Sequence, residues 1–314
     1  MKLLSEGRST RETTCLSRRK AKETRMNSKR DMAQQRPSSY FIDQELIEEM
    51  VRLNRQGRLL TEGMGGVLPE QQELSHIHDI LDLACGPGEW VMRVAQEYPD
   101  KRVVGVDLSQ RMIEYASVQA EAEDINATFQ VMDITHPLAF PDASFDLLNM
   151  RLLAGFMKKE MWRPLLCECF RVLRPGGIVR VTESEVILTN SPVLETYTTW
   201  GIQAYQKAGQ AFSFEGQKHI GVALAMKQLL TQAGFVTPCH SAHAVDFSTA
   251  TAAHEGILED LMLAFKLVSP FLSRLGIATR EQVRELREQM RELIGKEEFS
   301  SYWFLVTVWA HRPA

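Results

Sequence analysis

The central part of the chain alternates short apolar runs with amphipathic stretches of helical period. The apolar runs predict strands at DILDLA, RVVGVDL, ATFQVMDI, FDLLNMRL and IVRVTES. The amphipathic stretches predict helices at about 89–97, 109–122 and 159–173. Alternating strands and helices are typical of a parallel sheet that is covered by helices on both faces. The pattern therefore predicts a doubly wound α/β fold.

The flanking segments follow a different pattern. An amphipathic helix is predicted at about 43–60, with the apolar residues Leu46, Ile47, Met50 and Leu53 near helical spacing. After the fifth strand come an aromatic-rich helical stretch, SPVLETYTTWGIQAYQKAGQAF, and a second helix, HIGVALAMKQLLTQAGF, and then a strand at 236–247. A long helical region at 252–294 is expected to break near Pro270 and Gly276, and a last apolar strand, YWFLVTVWA, follows.

These changes of pattern divide the chain into five segments. They are a basic leader (1–36), an N-terminal helical cap (37–75), a Rossmann-like core (76–186), a helical lid insertion (187–232) and a C-terminal part of the sheet with helices (233–314). The sequence contains no internal repeat, so we expect neither a solenoid nor a propeller.

Charge is distributed unevenly along a chain of otherwise ordinary composition. The 314 residues are 44% hydrophobic and 24% charged, which is typical of a soluble globular protein. The leader has eleven Lys and Arg against four acidic residues, a net charge of +7, whereas the rest carries about −11. With few apolar residues to bury, the leader is predicted to be disordered. Three alternatives for the leader stay open: a transit-like peptide, a nucleic-acid-binding arm, or an extension before a start at Met26 or Met32.

The cysteines and the hydropathy of the chain indicate in which cellular compartment the protein is expected. The five cysteines show no metal-ligand spacing and no even pairing, so we expect a reducing environment, no disulfides and no metal site. No apolar run reaches the eighteen or so residues that span a bilayer, and the first residues lack the apolar segment of a secretory signal. We therefore expect a cytoplasmic protein without a membrane partner.

The candidate chemistry lies in the stretch ILDLACGPGEW, where the first strand runs into a glycine-containing turn. Such a turn lets a ligand approach the backbone and the amino end of the next helix. A nicotinamide dinucleotide and S-adenosylmethionine (SAM) both suit that position. The dinucleotide motif needs a third glycine where this chain has Val91, which disfavours a nicotinamide reductase. Asp107 suits the hydroxyls of a ribose in either ligand.

Five motifs occur in order: LDLACGPG, GVDLSQRMI, VMDI, FDLLNMRLL and VLRPGGIVRV. Together they resemble the class I SAM-dependent methyltransferases, strongly over residues 78–186 and more weakly to the end of the chain. The resemblance implies a Rossmann-like, seven-stranded, mostly parallel sheet with an antiparallel last strand. It also implies methyltransferase activity with SAM as the cofactor.

The resemblance assigns residues to each part of SAM. The methionine end of SAM would contact the turn after the first strand and the end of the fourth strand, and Asp82 would bind its amino group. Asp107 would bind the ribose hydroxyls. The segments after the second and third strands would contact the adenine. The implied cofactor residues are Asp82, Ala84, Cys85, Gly86, Gly88, Asp107, Leu108, Met112, Met132, Asp133, Ile134, Met150 and Arg151. Pro87 departs from the Thr or Ser that many members have between the glycines, and it stiffens the turn.

The methyl acceptor is predicted to be a small, partly apolar metabolite. The turn after the fourth strand, 149–152, lacks the Pro-Pro motif of methyltransferases that act on nucleobase amino groups. It also lacks the paired glutamates of protein-arginine methyltransferases. Cytosine-C5 methyltransferases have a Pro-Cys nucleophile at that turn, whereas Pro238-Cys239 lies far downstream of it. Aromatic residues in the lid favour a small organic acceptor. Candidate catalytic residues are Glu183 and Glu185; candidate substrate residues are Tyr40, Trp200, Tyr205 and His219.

The arrangement resembles the small-molecule branch of the family, which acts on quinones and natural products at O, N or C and includes members that methylate a prenyl carbon. That resemblance also implies homo-oligomer contacts through the N-terminal helix. Two alternatives remain: a nucleic-acid methyltransferase with a basic arm, disfavoured by the acidic body of the chain, and a non-catalytic SAM-binding protein.

Overall fold

The computed structural model describes residue 42 and residues 46–314, and the leader and Tyr40 lie outside this range. The strands are β1 (Asp79–Leu83), β2 (Arg102–Asp107), β3 (Ala127–Val131), β4 (Phe145–Arg151), β5 (Leu173–Thr189), β6 (Val236–Asp246) and β7 (Ser301–His311). The α-helices are α1 (Ile47–Gly63), α2 (Glu89–Glu97), α3 (Gln110–Ala122), α4 (Lys159–Val172), α5 (Pro192–Lys207), α6 (Val222–Gln232), α7 (His254–Arg274) and α8 (Arg280–Glu292). No helix in this part of the chain has the length and apolar character of a membrane span.

The seven strands form one sheet in the order β3-β2-β1-β4-β5-β7-β6. The pairs from β3 to β5 are all parallel, and β7 runs antiparallel to both of its neighbours, β5 and β6. The predicted doubly wound, seven-stranded sheet with an antiparallel last strand is therefore confirmed. The order reverses between β1 and β4, which is where open α/β sheets bind their ligands.

The central strands are buried on both faces, which explains their nearly continuous apolar sequence. In β1 the residues from Ile80 to Leu83 are all buried, and in β4 Leu147, Leu148 and Met150 are completely buried. One core layer packs around Trp162 of α4, and the other packs around Trp90 of α2. These two layers fix the strand ends from which the site is built.

The N-terminal helix is present, but only Met50 and Leu53 of the four apolar residues predicted for its face are partly buried. Leu46, just before α1, is 40% exposed and Ile47 is 62% exposed, whereas Glu49 and Arg52 are buried. The physical reason is an ion-pair cluster: Arg52 donates to both carboxylate oxygens of Glu49 at 2.7 Å and to Asp260 of α7 at 3.1 Å. Burying paired charges on α1 turns its first apolar residues toward solvent.

The predicted break at Pro270 is wrong, because α7 continues through it to Arg274. Proline removes one backbone donor, but buried Phe265 and Leu272 on either side hold the helix in place. The helix ends before Gly276, whose φ of +64° is in the left-handed region. The uninterrupted α7 places a long apolar face over the end of the sheet.

Candidate functional site

A cavity of about 310 Å³ lies at the carboxyl ends of the central strands. One wall, here named the cofactor half, is formed by Asp82, residues 84–87, Glu89, Trp90, Asp107, Met112 and Arg151. The opposite wall, named the acceptor half, is formed by the cavity-facing residues of α1, α5 and α7. The two halves share one space, so a ligand in one can contact a ligand in the other.

Three residues of the turn after β1 have a left-handed backbone conformation, with positive φ. Ala84, Gly86 and Gly88 have φ values of +57°, +54° and +83°. A Cβ added at Gly88 would come within 2.8 Å of Ala116 and even closer to a ring carbon of Phe129, so only glycine fits there. A Cβ added at Gly86 would meet only Leu53, at 3.9 Å. Gly86 therefore presents bare backbone to the cavity, as the turn pattern predicted.

Asp107 ends β2 beside this turn. Its Oδ2 accepts a hydrogen bond from the Gly86 amide and its Oδ1 accepts one from the Ser109 amide, both at 2.9 Å. The side chain is buried and lines the cavity. Two backbone donors orient the carboxylate beside the cavity. This arrangement fits a vicinal pair of ribose hydroxyls.

Asp82, Glu89 and Arg151 form a charged corner of the cavity, where the sequence predicts the methionine end of SAM. Burial raises the pKa of Asp82 to about 7, although the nearby Arg151 guanidinium opposes that rise. Burial also raises the pKa of Glu89, which lies 3.5 Å from Arg151. Arg151 additionally donates to Thr61 at 2.9 Å. Within the described residues, Glu89 Oε1 is buried without a hydrogen-bond partner. A corner with two carboxylates and one guanidinium fits an ammonium–carboxylate group such as that of methionine.

A chain of buried polar groups holds Asp82 from behind. Arg180 of β5 donates to Glu70 at 2.5 Å and to Asn149 Oδ1 at 2.7 Å, and Asn149 Nδ2 donates to Asp82 at 2.8 Å. All four side chains are buried or nearly so. Sequence analysis missed Glu70 and Arg180, although a lone arginine inside the apolar run IVRVTES is a signal that could have identified the latter.

Of the residues predicted to contact the adenine, some line the cavity and others do not. Met112 is buried and lines the cavity. Leu108 is 48% exposed, Met132 is partly buried against the core, and Asp133 accepts hydrogen bonds from Thr135. These three, together with the buried Ile134 and Met150, are outside the cavity lining. Their assignment to SAM remains a prediction.

Both predicted catalytic carboxylates accept hydrogen bonds from backbone amides. Glu183 Oε1 accepts from the Leu153 amide at 2.7 Å, and burial raises the pKa of Glu183 to about 8. Glu185 accepts from the amides of Gly221 at 2.6 Å and Ala223 at 2.5 Å, where α6 begins. Glu185 lines the cavity and Glu183 does not. The contacts of Glu185 are those of a helix cap.

The structure does not bring the predicted substrate residues together at the cavity. Tyr205 lines the cavity, and burial raises its pKa to about 12. Trp200 stacks on Phe265 with ring centroids 5.8 Å apart and is outside the lining. His219 is also outside it, with Nδ1 4.0 Å from Glu185. Tyr40 lies outside the described residues, so its role is untested.

Three polar residues of the acceptor half were not predicted. Arg52 and Gln56 of α1 meet Asp260 of α7, whose Oδ2 accepts from Gln56 at 2.8 Å. All three line the cavity, and burial raises the pKa of Asp260. Because 208 residues separate Arg52 from Asp260, no local pattern indicates that they meet.

Comparison with known proteins identifies the central segment. Residues 80–177 match the family model described as a methyltransferase domain. The chain contains a methyltransferase domain. The predicted resemblance to class I SAM-dependent methyltransferases is thereby confirmed, and SAM is the cofactor of that class.

Relatives of this methyltransferase domain include proteins with different printed roles. The secondary metabolism regulator laeA of Monascus pilosus is 40% identical over 98 residues, which are 31% of this chain and 24% of the relative. The demethylmenaquinone methyltransferase of Thermus thermophilus is 36% identical over 104 residues, 33% of this chain and 46% of the relative. The chain thus spans less than half the length of these curated relatives.

Solved structures with a similar fold include a phosphoethanolamine N-methyltransferase 2 of Haemonchus contortus in complex with phosphomonomethylethanolamine and S-adenosylhomocysteine. It is 18% identical, with a TM-score of 0.49, over 82% of this chain and 53% of that one.

Proposed function

We propose that the protein transfers the methyl group of SAM to an oxygen, nitrogen or carbon of a small, partly apolar metabolite. The observation that carries the proposal is the shared cavity, because the glycine turn and Asp107 open into the same space as the apolar faces of α5 and α7. The matched methyltransferase domain supports the cofactor, and demethylmenaquinone methyltransferases among the relatives support a small-molecule acceptor.

When bound, SAM supplies an electrophilic methyl group. In the proposal, Asp107 accepts hydrogen bonds from the ribose hydroxyls, and Gly86 allows close backbone contact. Asp82 and Glu89 accept from the ammonium group, while Arg151 faces the carboxylate. Such contacts orient the reactants, which is the main contribution a protein can make to an in-line displacement.

No general base is assigned, because methyl transfer needs one only when the acceptor still holds a proton at neutral pH. Glu185 is the predicted candidate that lines the cavity, and its two amide contacts favour a role in holding α6 at the lid. Water exclusion by the α1, α5 and α7 helices would then complete the contribution of the chain.

Natural-product tailoring, including methylation of a prenyl carbon, is the finer part of this proposal. We also propose oligomer contacts through α1, whose outer residues Leu46, Ile47 and Val51 are 40%, 62% and 59% exposed. Light scattering after gel filtration tests this, because Ile47→Glu with Val51→Glu would convert an oligomer to monomers. A wild-type monomer would contradict the oligomer proposal.

The test of function is incubation with methyl-radiolabelled SAM and an extract of the cells that produce the protein, using the full chain and a variant lacking residues 1–36. Label in the organic-soluble fraction is the expected result. Label in RNA, DNA or protein that is lost on truncation would favour a nucleic-acid or protein substrate instead. Calorimetric SAM binding without label in any fraction would favour the non-catalytic alternative.

A further inference from the structure

Helix α5 presents three residues to the cavity at intervals of four positions. Tyr197, Gly201 and Tyr205 all line it, because residues four apart share one face of a helix. A Cβ added at Gly201 would meet no atom of the described residues within 4 Å. Glycine in a helix interior costs about 0.5–1 kcal/mol relative to alanine, and no neighbouring side chain requires it here. The space in front of Gly201 is therefore room for a ligand between two tyrosines.

The cavity lining has an excess of carboxylates. Asp82, Glu89, Asp107, Glu185 and Asp260 line it, against two guanidinium groups. Among the described lining residues, both guanidinium groups are engaged by carboxylates: Arg52 by Glu49 and Asp260, and Arg151 by Glu89. An anionic acceptor would have to compete with these carboxylates for a guanidinium group.

The polar groups of the acceptor half are suited to hydrogen bonding. Gln56 and Asp260 line one side, and burial, reinforced by Asp260, raises the pKa of Tyr197. The Tyr197 hydroxyl therefore stays protonated at neutral pH. Apart from Asp260, the α7 residues that line the cavity are apolar: Leu261, Ala264, Phe265, Val268 and Leu272. An occupant would thus meet both hydrogen-bonding groups and a hydrocarbon surface.

From these observations we infer that the acceptor is an uncharged or cationic compound with an apolar body. Its body lies against Gly201 and the apolar lining residues of α7, and its hydroxyl or amino group is directed to Tyr197, Gln56 and Asp260. Phosphate esters, diphosphates and free carboxylic acids are disfavoured. This inference rests on the proposed function and narrows its substrate class.

The charge class is tested with methyl-radiolabelled SAM, the full chain and a small-molecule extract of the producing cells. Labelled products, freed of SAM by chromatography against a control without protein, are separated on anion- and cation-exchange resins at pH 7. We expect label in the unretained or cation-exchange fraction. Label retained by the anion exchanger overturns the inference but leaves the methyltransferase proposal standing. Label in no fraction overturns the proposed function, and the inference fails with it.

The position of the acceptor is tested by filling the space in front of Gly201. Gly201→Leu should lower the initial rate at limiting extract at least tenfold, while the SAM dissociation constant stays within twofold and the Tm does not fall. Gly295→Leu is the matched control, because a Cβ there also meets no atom within 4 Å and Gly295 is outside the lining. An unchanged rate in Gly201→Leu overturns the placement. Tyr197→Phe should lower the rate severalfold, and an unchanged rate would remove the hydroxyl from the inference.

Discussion

The cofactor half and the acceptor half of the cavity are built by different means. In the cofactor half, the ligand-facing groups are strand ends and a turn whose backbone is fixed by the sheet, with Asp107 held by two backbone amides. In the acceptor half, the polar groups are side chains on helices, held by Arg52 and its two carboxylate partners.

This difference determines how each half responds to substitution. Backbone geometry in the cofactor half tolerates few residue types, as the close contacts in front of Gly88 illustrate. Side chains on α1, α5 and α7 can change while the helices remain, so the acceptor half can take a different ligand without a new fold. The following predictions test how far the two halves are independent.

The largest expected effect concerns Asp107. Asp107→Ala should weaken SAM binding by at least 100-fold, because it removes two charge-assisted hydrogen bonds worth about 1.5–3 kcal/mol each. Isothermal titration calorimetry on the folded variant measures this. Asp142→Ala, at an exposed aspartate outside the cavity lining, is the control and should leave the affinity unchanged. An unaltered titration in Asp107→Ala would contradict the proposed ribose contact.

The second prediction concerns pH. Since burial raises the pKa of Asp82 to about 7, and an ionised carboxylate is needed to bind an ammonium group, SAM affinity should rise about tenfold between pH 6 and 8. Asp82→Asn should flatten this dependence.

The same shift has the opposite effect on stability. Because the folded state keeps a proton that the unfolded chain loses above a pKa of about 4, the contribution of Asp82 is present at low pH and is lost between about pH 4 and 7. Urea unfolding over that range, compared with Asp82→Asn, measures it. A steeper pH dependence in the variant would be inconsistent with this assignment.

A smaller effect is expected for the lid. Glu185→Gln should lower the free energy of unfolding by about 1–2 kcal/mol, since it weakens a charged cap at the start of α6. Glu285→Gln, at an exposed position in the middle of α8, is the control for urea unfolding. Unchanged stability with complete loss of methyl transfer would instead assign the Glu185 carboxylate to catalysis, as the sequence predicted.

The smallest effect compares two helical glycines. Gly201→Ala should raise the free energy of unfolding by about 0.5–1 kcal/mol, because its Cβ enters open space. Gly57→Ala should lower it, because its Cβ would come within 2.7 Å of Glu89 Oε2. Thermal unfolding of both variants checks the signs, and a destabilised Gly201→Ala would show that the space is not open.

The two halves were also predictable to different degrees. The cofactor half follows from contiguous motifs, so Asp82, Gly86 and Asp107 could be placed from the amino-acid sequence alone. The acceptor half depends on the contact of Arg52 with Asp260, and helical period alone did not indicate that Glu49 and Arg52 of α1 would be buried. Helix propensity likewise gave a wrong prediction at Pro270. There the burial of Phe265 and Leu272 on either side outweighs one missing backbone hydrogen bond.

The place of β7 in the sheet has a consequence for biosynthesis. This strand follows the other six in the sequence, yet it lies between β5 and β6 and hydrogen-bonds to both. While the ribosome is still translating the segment before residue 301, β6 has no neighbour in the sheet and β5 has an uncovered edge. A nascent chain can therefore complete the cofactor half early, but it closes the sheet only when β7 leaves the exit tunnel, and unpaired edges are the sites at which chains aggregate.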